Sequence, residues 1–345
     1  MDNQVDISVV ICTYNRCDML PEALESVLAQ ETEGVRYEFI LVDNNSQDRT
    51  HQVVESFIGR SPVQIRYLFE GRQGLSHARN AAIMSASAPI IAFTDDDVRV
   101  AGDWVKRIKQ AFDEHPEVDF VGGKVLPRWE SEPPAWLTRE HWSPLALVDY
   151  GEKPFYVNQE KPICLVGANL SFRREVFERV GLFAADLQRV KDGVGSIEDH
   201  ELEMRLWRAG RQGMYVPNIV VTAEVQTERL TKQYHRRWHT GHGGYYAIMR
   251  EEQFEQSSER LFDVPIHLYR AMATDAVQWL KHMLCGKHEA AFLNELQLRF
   301  SGSFIRQRRR DFLAAGGRRT AHEIATFAHR FVMRKKPTPF FEGRG

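Results

Sequence analysis

No run of 18 or more apolar residues occurs in this 345-residue chain, so no membrane-spanning helix is expected. The first residues, Met1-Asp2-Asn3-Gln4-Val5-Asp6, lack the basic and apolar regions of a signal peptide, which makes the cytoplasm the expected compartment. Cysteine is scarce: Cys12, Cys17, Cys164 and Cys285 form neither a C-x-x-C pair nor a compact framework, the pattern of free thiols in a reducing compartment. No G-x-G-x-x-G follows the first apolar segment, which removes the main support for dinucleotide binding. Net charge is nearly absent at −2, but it is unevenly spread. From Ser301 onward eleven Lys or Arg stand against Asp311, Glu323 and Glu342, about +8, which leaves about −10 for the first 300 residues. Phe304, Ile305, Phe312, Leu313, Phe327 and Phe331 interleave with those cations. That composition suits peripheral attachment to an anionic membrane, such as the inner face of the cytoplasmic one, and equally suits solvated helix faces packed on a main domain. The acidic body and the lack of a base-reading motif argue against nucleic acid.

What is present is a chain long enough for one large domain with an appendage, or for two domains. Over the first 125 residues strands and helices alternate. Ile7 to Cys12 is β-branched and apolar. Leu20, Ala23, Leu24, Val27 and Leu28 then recur at helical spacing, with Asp18 placed as an N-cap and Pro21 in the first turn. Strands follow at Glu38–Val42, Gln64–Phe69 and Pro89–Thr94, separated by helices over about 48–58 and 75–85. This is the pattern of βαβ units and a mostly parallel sheet, whose ligands bind beyond the carboxyl ends of the strands. Three polar clusters fall at those ends: Thr13-Tyr14-Asn15-Arg16, Asp43-Asn44-Asn45-Ser46 and Asp95-Asp96-Asp97.

The last cluster is the most informative. Three carboxylates at the end of a buried strand are penalised by burial and by one another, so a positive charge is expected among them. In an extended segment Asp95 and Asp97 point the same way and can share one divalent ion, and oxygen ligands without nearby His or Cys favour Mg²⁺ or Mn²⁺.

Several motifs occur in one order: Val9-Val10-Ile11-Cys12-Thr13-Tyr14-Asn15-Arg16, Val42-Asp43-Asn44-Asn45-Ser46-Gln47-Asp48, Gly74-Leu75-Ser76-His77-Ala78-Arg79-Asn80-Ala81, Phe93-Thr94-Asp95-Asp96-Asp97, Gly167-Ala168-Asn169 and Glu198-Asp199-His200-Glu201-Leu202. With them, about residues 6 to 245 resemble family 2 glycosyltransferases, inverting enzymes of the GT-A fold. The resemblance implies an α/β nucleotide-sugar-binding domain over 1–250, with a nucleotide half (1–125) and an acceptor and catalytic-base half (126–250). A helical, basic region over 251–345 would follow. It implies transfer of one sugar from a nucleotide-sugar donor, with a UDP-sugar favoured, to a saccharide or lipid-linked acceptor in glycan assembly.

In that reading Asp97 is the leading metal ligand, and Asp95 shares the ion or binds ribose. Thr13, Tyr14, Arg16 and Asp43 line the base and ribose pocket, with Asp96, Arg72 and Arg79 nearby; Arg79 is equally explained as a structural helix residue. Asp199 matches the general base, with Glu198 as fallback, after the Lys191–Ser196 segment. Asn169 is expected near the donor sugar. Trp136 lies in an aromatic segment with Trp129 and Trp142 that suits a pyranose face, or simply packs a loop.

Two departures stand out. Many relatives carry a His reaching the metal or diphosphate at the position of Ala223; here either the neighbouring Glu224 substitutes or the site relies on fewer protein ligands and more water. The Q-x-x-R-W signature of processive members is one residue too long in Gln233-Tyr234-His235-Arg236-Arg237-Trp238, which favours a non-processive enzyme. His235, Arg236, Arg237 and Trp238 remain candidates for gripping diphosphate or acceptor, against an exposed helix face. Beyond Leu261 helices are expected over Leu261–Leu284 and His288–Ala315, where Leu268, Met272, Ala276, Trp279 and Met283 form a stripe that suits a core or a dimer contact. A nucleotidyltransferase is the alternative enzyme, weakened by the lack of a Gly-rich loop after the first strand. A non-catalytic nucleotide-sugar-binding or scaffold protein of the same fold is the other alternative, and would be expected to have lost a carboxylate.

Overall fold

The computed structural model describes residues 5–61, 63–187, 197–250, 252–255, 257, 259–318 and 327. The chain forms two compact units, one of residues 1–192 and 198–229, the other of 193–197 and 230–345.

The first unit begins as the apolar patterning predicts: β1 (Ile7–Thr13), α1 (Leu20–Leu28), β2 (Tyr37–Asp43), α2 (Thr50–Ile58), β3 (Ile65–Phe69), α3 (Leu75–Ser85) and β4 (Ile90–Asp95). β1 pairs in parallel with β2 and β4, and β2 with β3. All of β2 and nearly all of β1 are buried, as helices on both faces of a parallel sheet require. Asp18 does not cap α1: Met19 holds the cap position, and the exposed Asp18 carboxylate meets Arg49 at 3.4 Å.

After β4 the chain departs from the parallel pattern. β5 (Val98–Val100), α4 (Trp104–Glu114), β6 (Phe120–Trp129), β7 (Phe155–Val157), β8 (Asn169–Arg173), α5 (Val176–Val180), α6 (Glu198–Arg208) and β9 (Gly213–Val225) complete one sheet of order β3-β2-β1-β4-β8-β6-β9-β5, with β7 also on β9. β8 runs antiparallel to both β4 and β6, and β5 and β7 antiparallel to β9. The sheet is parallel over its first four strands and mixed beyond. Where β6 meets β9 the register slips between Gly122 and Lys124, and a Cβ at Gly123 would lie 1.8 Å from the Ile219 carbonyl oxygen. Only glycine permits that approach.

The second unit contains α7 (Lys232–Met249), α8 (Glu252–Glu255), the short hairpin β10 (Arg260–Leu261) and β11 (Val264–Pro265), α9 (Ile266–Leu284) and α10 (His288–Ala314). α7, expected to close the first domain at residue 250, instead belongs to this unit and packs on α10. The helix expected from Leu261 starts at Ile266. Phe262 and Asp263, at φ 51° and 60°, make the hairpin turn, and Pro265 at the helix N-cap has no N–H for a helix interior. The basic segment beyond Arg318 lies outside the described residues apart from Phe327, whose ring meets Tyr269 at 5.3 Å.

Candidate active site

The three polar clusters meet at the carboxyl ends of the parallel strands. Thr13 pairs with Asp43 across β1 and β2, and Cys12 with Asp95 across β1 and β4. The loops beyond are latched to each other: Asn15 N donates to Ser46 Oγ at 3.0 Å, Gln47 N to Asn15 Oδ1 at 2.7 Å and Cys17 N to Asp48 Oδ2 at 3.0 Å. Asn15 and Asn45 take left-handed backbone angles, φ 51° and 65°, which asparagine tolerates better than most residues. The buried Asp43 carboxylate accepts from Tyr67 Oη and Ser46 N, both at 2.8 Å. Tyr14 is half-buried, and the buried Thr13 Oγ1 has no hydrogen-bond partner among the described residues. Asn44 orders the next loop by donating to the Glu70 and Arg72 carbonyls and accepting from Gly74 N, while the exposed Arg72 side chain is forked onto Glu70.

The acidic triplet is split between two arginines. Arg16 donates to Asp96 at 3.3 Å and Asp97 at 2.5 Å, and Arg229 adds a contact to Asp97 at 3.4 Å. Asp95 lies 3.9 Å from Arg79. Arg79, one turn into α3, is buried between the rings of Phe93 and Phe183, 5.8 and 5.2 Å from their centroids. The adjacent Asn80 exchanges two 3.0 Å hydrogen bonds with the Phe183 backbone, which fixes that ring over the guanidinium. From there Arg79 reaches Glu198 at 3.1 Å and Asp199 at 2.5 Å, in the first turn of α6. Burial alone would lower the Arg79 guanidinium, but Asp199, Glu198 and Asp95 together hold it above its ordinary value. Asp199 and the triplet are therefore joined through one cation.

The second oxygen of Asp199 accepts from Gly167 N at 3.0 Å. A Cβ at Gly167 would lie 2.4 Å from that oxygen and 2.5 Å from Arg79 Nη2, so this backbone comes close because it has no side chain. One turn along α6, Glu203 binds the same loop: both its oxygens accept from Leu165 N, at 3.0 and 3.1 Å. Glu203 is fully buried, and burial pushes its carboxyl well above the usual range. The sequence reading missed Glu203 and Arg229. The four-residue spacing from Asp199, which puts both on one helix face, was the available signal for Glu203 and went unread.

Other expected residues lie elsewhere. Asn169 is turned into the interior, its oxygen accepting from Trp104 Nε1 and its nitrogen donating to the Lys124 and Ile219 carbonyls, all at 2.9 Å. Its amide is thus fully used by packing, and it leaves the set facing a sugar. Ala223 registers with Val98, directly after the triplet, and Glu224 follows it with its carboxylate held by two arginines. Its backbone N–H donates to the Asp97 carbonyl while its carboxylate meets Arg99 at 2.9 Å and Arg128 at 3.7 Å, because neighbours on a strand face opposite sides. Trp136 is half-buried, edge-on to His141 at 5.2 Å. The Lys191–Ser196 segment lies outside the described residues. In the second unit, His235 is buried, Arg236 is forked onto Glu295 by two 2.8 Å bonds, Trp238 stacks on His242 at 4.0 Å and Arg237 is exposed.

The donor chemistry fits a hard cation, although no group of three or more His, Cys, Asp or Glu forms a metal centre among the described residues. Burial, opposed by Arg79 and reinforced by Asp97, Asp96 and Asp199, pushes the Asp95 carboxyl up to about 6. Asp95 keeps 35% of its side chain exposed against 10% for Asp97. Cys12 beside it is inert, its thiol pushed up to about 12 by burial.

The solved structures similar to this chain include a mannosyltransferase of Pyrobaculum calidifontis in complex with GDP-Man and Mn²⁺ (TM-score 0.54, 18% identity, 95% of this chain and 80% of that one). Another is Staphylococcus aureus TarS with UDP (TM-score 0.50, 18% identity, 86% and 91%). At these identities the likeness is one of fold, and the fold is GT-A. Among curated relatives, a glucosyl-dolichyl phosphate glucuronosyltransferase and the glycosyltransferase AglE, both of Haloferax volcanii, are each 30% identical over 56% and 51% of this chain. The succinoglycan biosynthesis protein ExoM of Rhizobium meliloti is 29% identical over 39%. The matches span 60%, 55% and 47% of those relatives' own lengths. The model of glycosyl transferase family 2 matches residues 8–181, half of the chain, including the three polar clusters and Gly167 but not α6, and the chain belongs to that family.

Proposed function

We propose that this chain transfers a single sugar, with inversion, from a nucleotide-sugar donor to a saccharide or lipid-linked acceptor, with Asp199 as general base. The observation that carries the reading is the Arg79 bridge: one buried guanidinium joins Asp199 to Asp95, so the base and the leaving-group site are held in one rigid frame. Inversion requires a base on the side opposite the leaving group, and Asp199, oriented by Arg79 and Gly167 N, has the chemistry to take the acceptor hydroxyl proton as its oxygen attacks. Glu198, buried beneath it, serves to anchor Arg79. Asp43, Thr13 and Tyr14 would receive base and ribose, with Asp43 accepting hydrogen bonds. Asp95 and Asp97 would hold Mn²⁺ or Mg²⁺, which when bound neutralises charge developing on the diphosphate. Arg16 and Arg229 both stand beside Asp97 and would add donors toward the phosphates. The relative named for glucosyl-dolichyl phosphate favours a polyprenyl-phosphate-linked acceptor, and the solved relatives with UDP and with GDP-Man keep both bases open, a UDP-sugar first.

The test is release of nucleoside diphosphate from a panel of UDP-, GDP-, dTDP- and CDP-sugars with Mn²⁺ or Mg²⁺, beside calorimetric binding of the same donors. Asp199→Asn is expected to bind the chosen donor as well as the unaltered chain and to turn over roughly 10²- to 10⁴-fold more slowly. Donor binding with unchanged turnover in that variant would remove Asp199 from the base role. Binding of no donor by the unaltered chain would refute the transferase reading.

A further inference from the structure

The second half of α9 is turned inside out. A surface helix normally hides its apolar stripe and shows its polar one. Here half-buried Asp275, Gln278 and His282 face inward: Asp275 bonds to Asn294 of α10, and His282 Nδ1 lies 2.9 Å from Asn294 Oδ1. Outward stand Val277, Leu280 and Leu284, exposed by 64%, 53% and 79%, flanked by Trp279 and Met283. Spacings of three and four residues put the first three on one face, continuous toward the helix start with exposed Ala273 and Ala276.

Charge says what covers this face. Among the exposed residues from Ala273 to His288 there is no Asp or Glu, and Glu289 is the first acid beyond them, while Lys281 in the last turn of α9 and Lys287 and His288 after it supply the cations at the tip. An apolar stripe without an acid, ending in two lysines and a histidine against the single Glu289, with a tryptophan at its flank, matches a bilayer interface bearing anionic headgroups: side chains of Leu and Met enter the acyl boundary, and long lysines reach back to phosphate. We propose that the tip of the α9–α10 hairpin, through Val277, Leu280 and Leu284 with Lys281 and Lys287, is a docking surface for an anionic lipid membrane. This surface lies in the second unit, and the assignment is independent of the donor and of the base.

The test is flotation of the full chain with vesicles of phosphatidylglycerol and phosphatidylcholine in equal parts, and with phosphatidylcholine alone. The chain is expected to float with the anionic vesicles, and the double variant Leu280→Glu/Leu284→Glu to partition at least about tenfold less, two lost apolar anchors being ample for that factor. Both positions are exposed, so the melting temperature should be unchanged. Brominated phosphatidylcholine within the anionic vesicles should quench part of the tryptophan fluorescence, a part that Trp279→Phe removes. Three outcomes overturn the proposal: no flotation of the unaltered chain, flotation unaffected by the double variant, or quenching unaffected by Trp279→Phe. A chain that is dimeric in solution, monomeric as the double variant and indifferent to vesicles would assign the face to a second copy instead.

Discussion

Arg79 and Arg16 both face the Asp95-Asp96-Asp97 turn, one from the first turns of α3 and the other from the loop after β1. Arg79 is 4% exposed, lies between two aromatic rings and binds carboxylates from two separate elements. Arg16 is 24% exposed and binds only neighbours within the triplet. A charge buried that deeply cannot leave without stranding its partners, whereas a charge at the rim can give way to a competing cation or a phosphate. The first arginine is therefore part of the frame, and the second is a counterion that the site can exchange.

Breaking the frame should have the largest effect. Arg79→Met leaves Glu198 buried without its cation, and a loss of about 3–5 kcal/mol in urea denaturation is expected, with nucleoside diphosphate release abolished. An Arg79→Met chain of ordinary stability would show that the bridge is not structural. Next comes Gly167→Ala, whose methyl group occupies the place of the Asp199 carboxylate. Turnover should fall about 100-fold with donor affinity kept, the signature of a displaced base, and equal losses of affinity and turnover would argue for a wider collapse. At the exchangeable arginine, Arg16→Gln should change stability by less than about 1 kcal/mol, as for other partly exposed pairs. With its competitor gone, Asp97 should bind Mn²⁺ several-fold more tightly by calorimetry without nucleotide; weaker binding would mean that Arg16 supports the ion rather than opposing it.

The smallest effect concerns Glu203 and depends on pH. Its carboxyl is raised in the folded chain, so from about pH 4.5 upward the folded state holds a proton that the unfolded state releases, and stability falls as pH rises. Glu203→Gln removes that slope. Its denaturation midpoint relative to the unaltered chain should improve between pH 4.5 and pH 8, and an unchanged difference at the two values would place the titration elsewhere.

Much of the first half was legible because burial on both faces leaves a direct mark on composition. Val9 to Ile11 and Phe39 to Val42 are apolar without interruption, the helices between them keep their spacing, and the three polar clusters must then fall at one edge of the sheet. Arg79 was readable only as far as its position on a helix, since nothing local separates a structural arginine from one that spans to Asp199. The partners of Asn169 and Glu224 were hidden for a related reason: an amide in a motif and a carboxylate beside a missing ligand look available until the neighbours claiming them are known.

The sequence by itself determined the alternating architecture of residues 7–95, the carboxylates at its edge and the family to which the chain belongs, because those properties rest on short-range periodicity and residue chemistry. Only the tertiary structure decided which cation serves which acid. Arg79 and Asp199 are 120 positions apart along the chain, and their 2.5 Å contact exists because α3, β8 and α6 are brought together by packing. The same holds for α9, where Trp279 and Met283 fall in a stripe that suits a core or a dimer contact until the fold places Asp275 and His282 against α10 and leaves the two exposed.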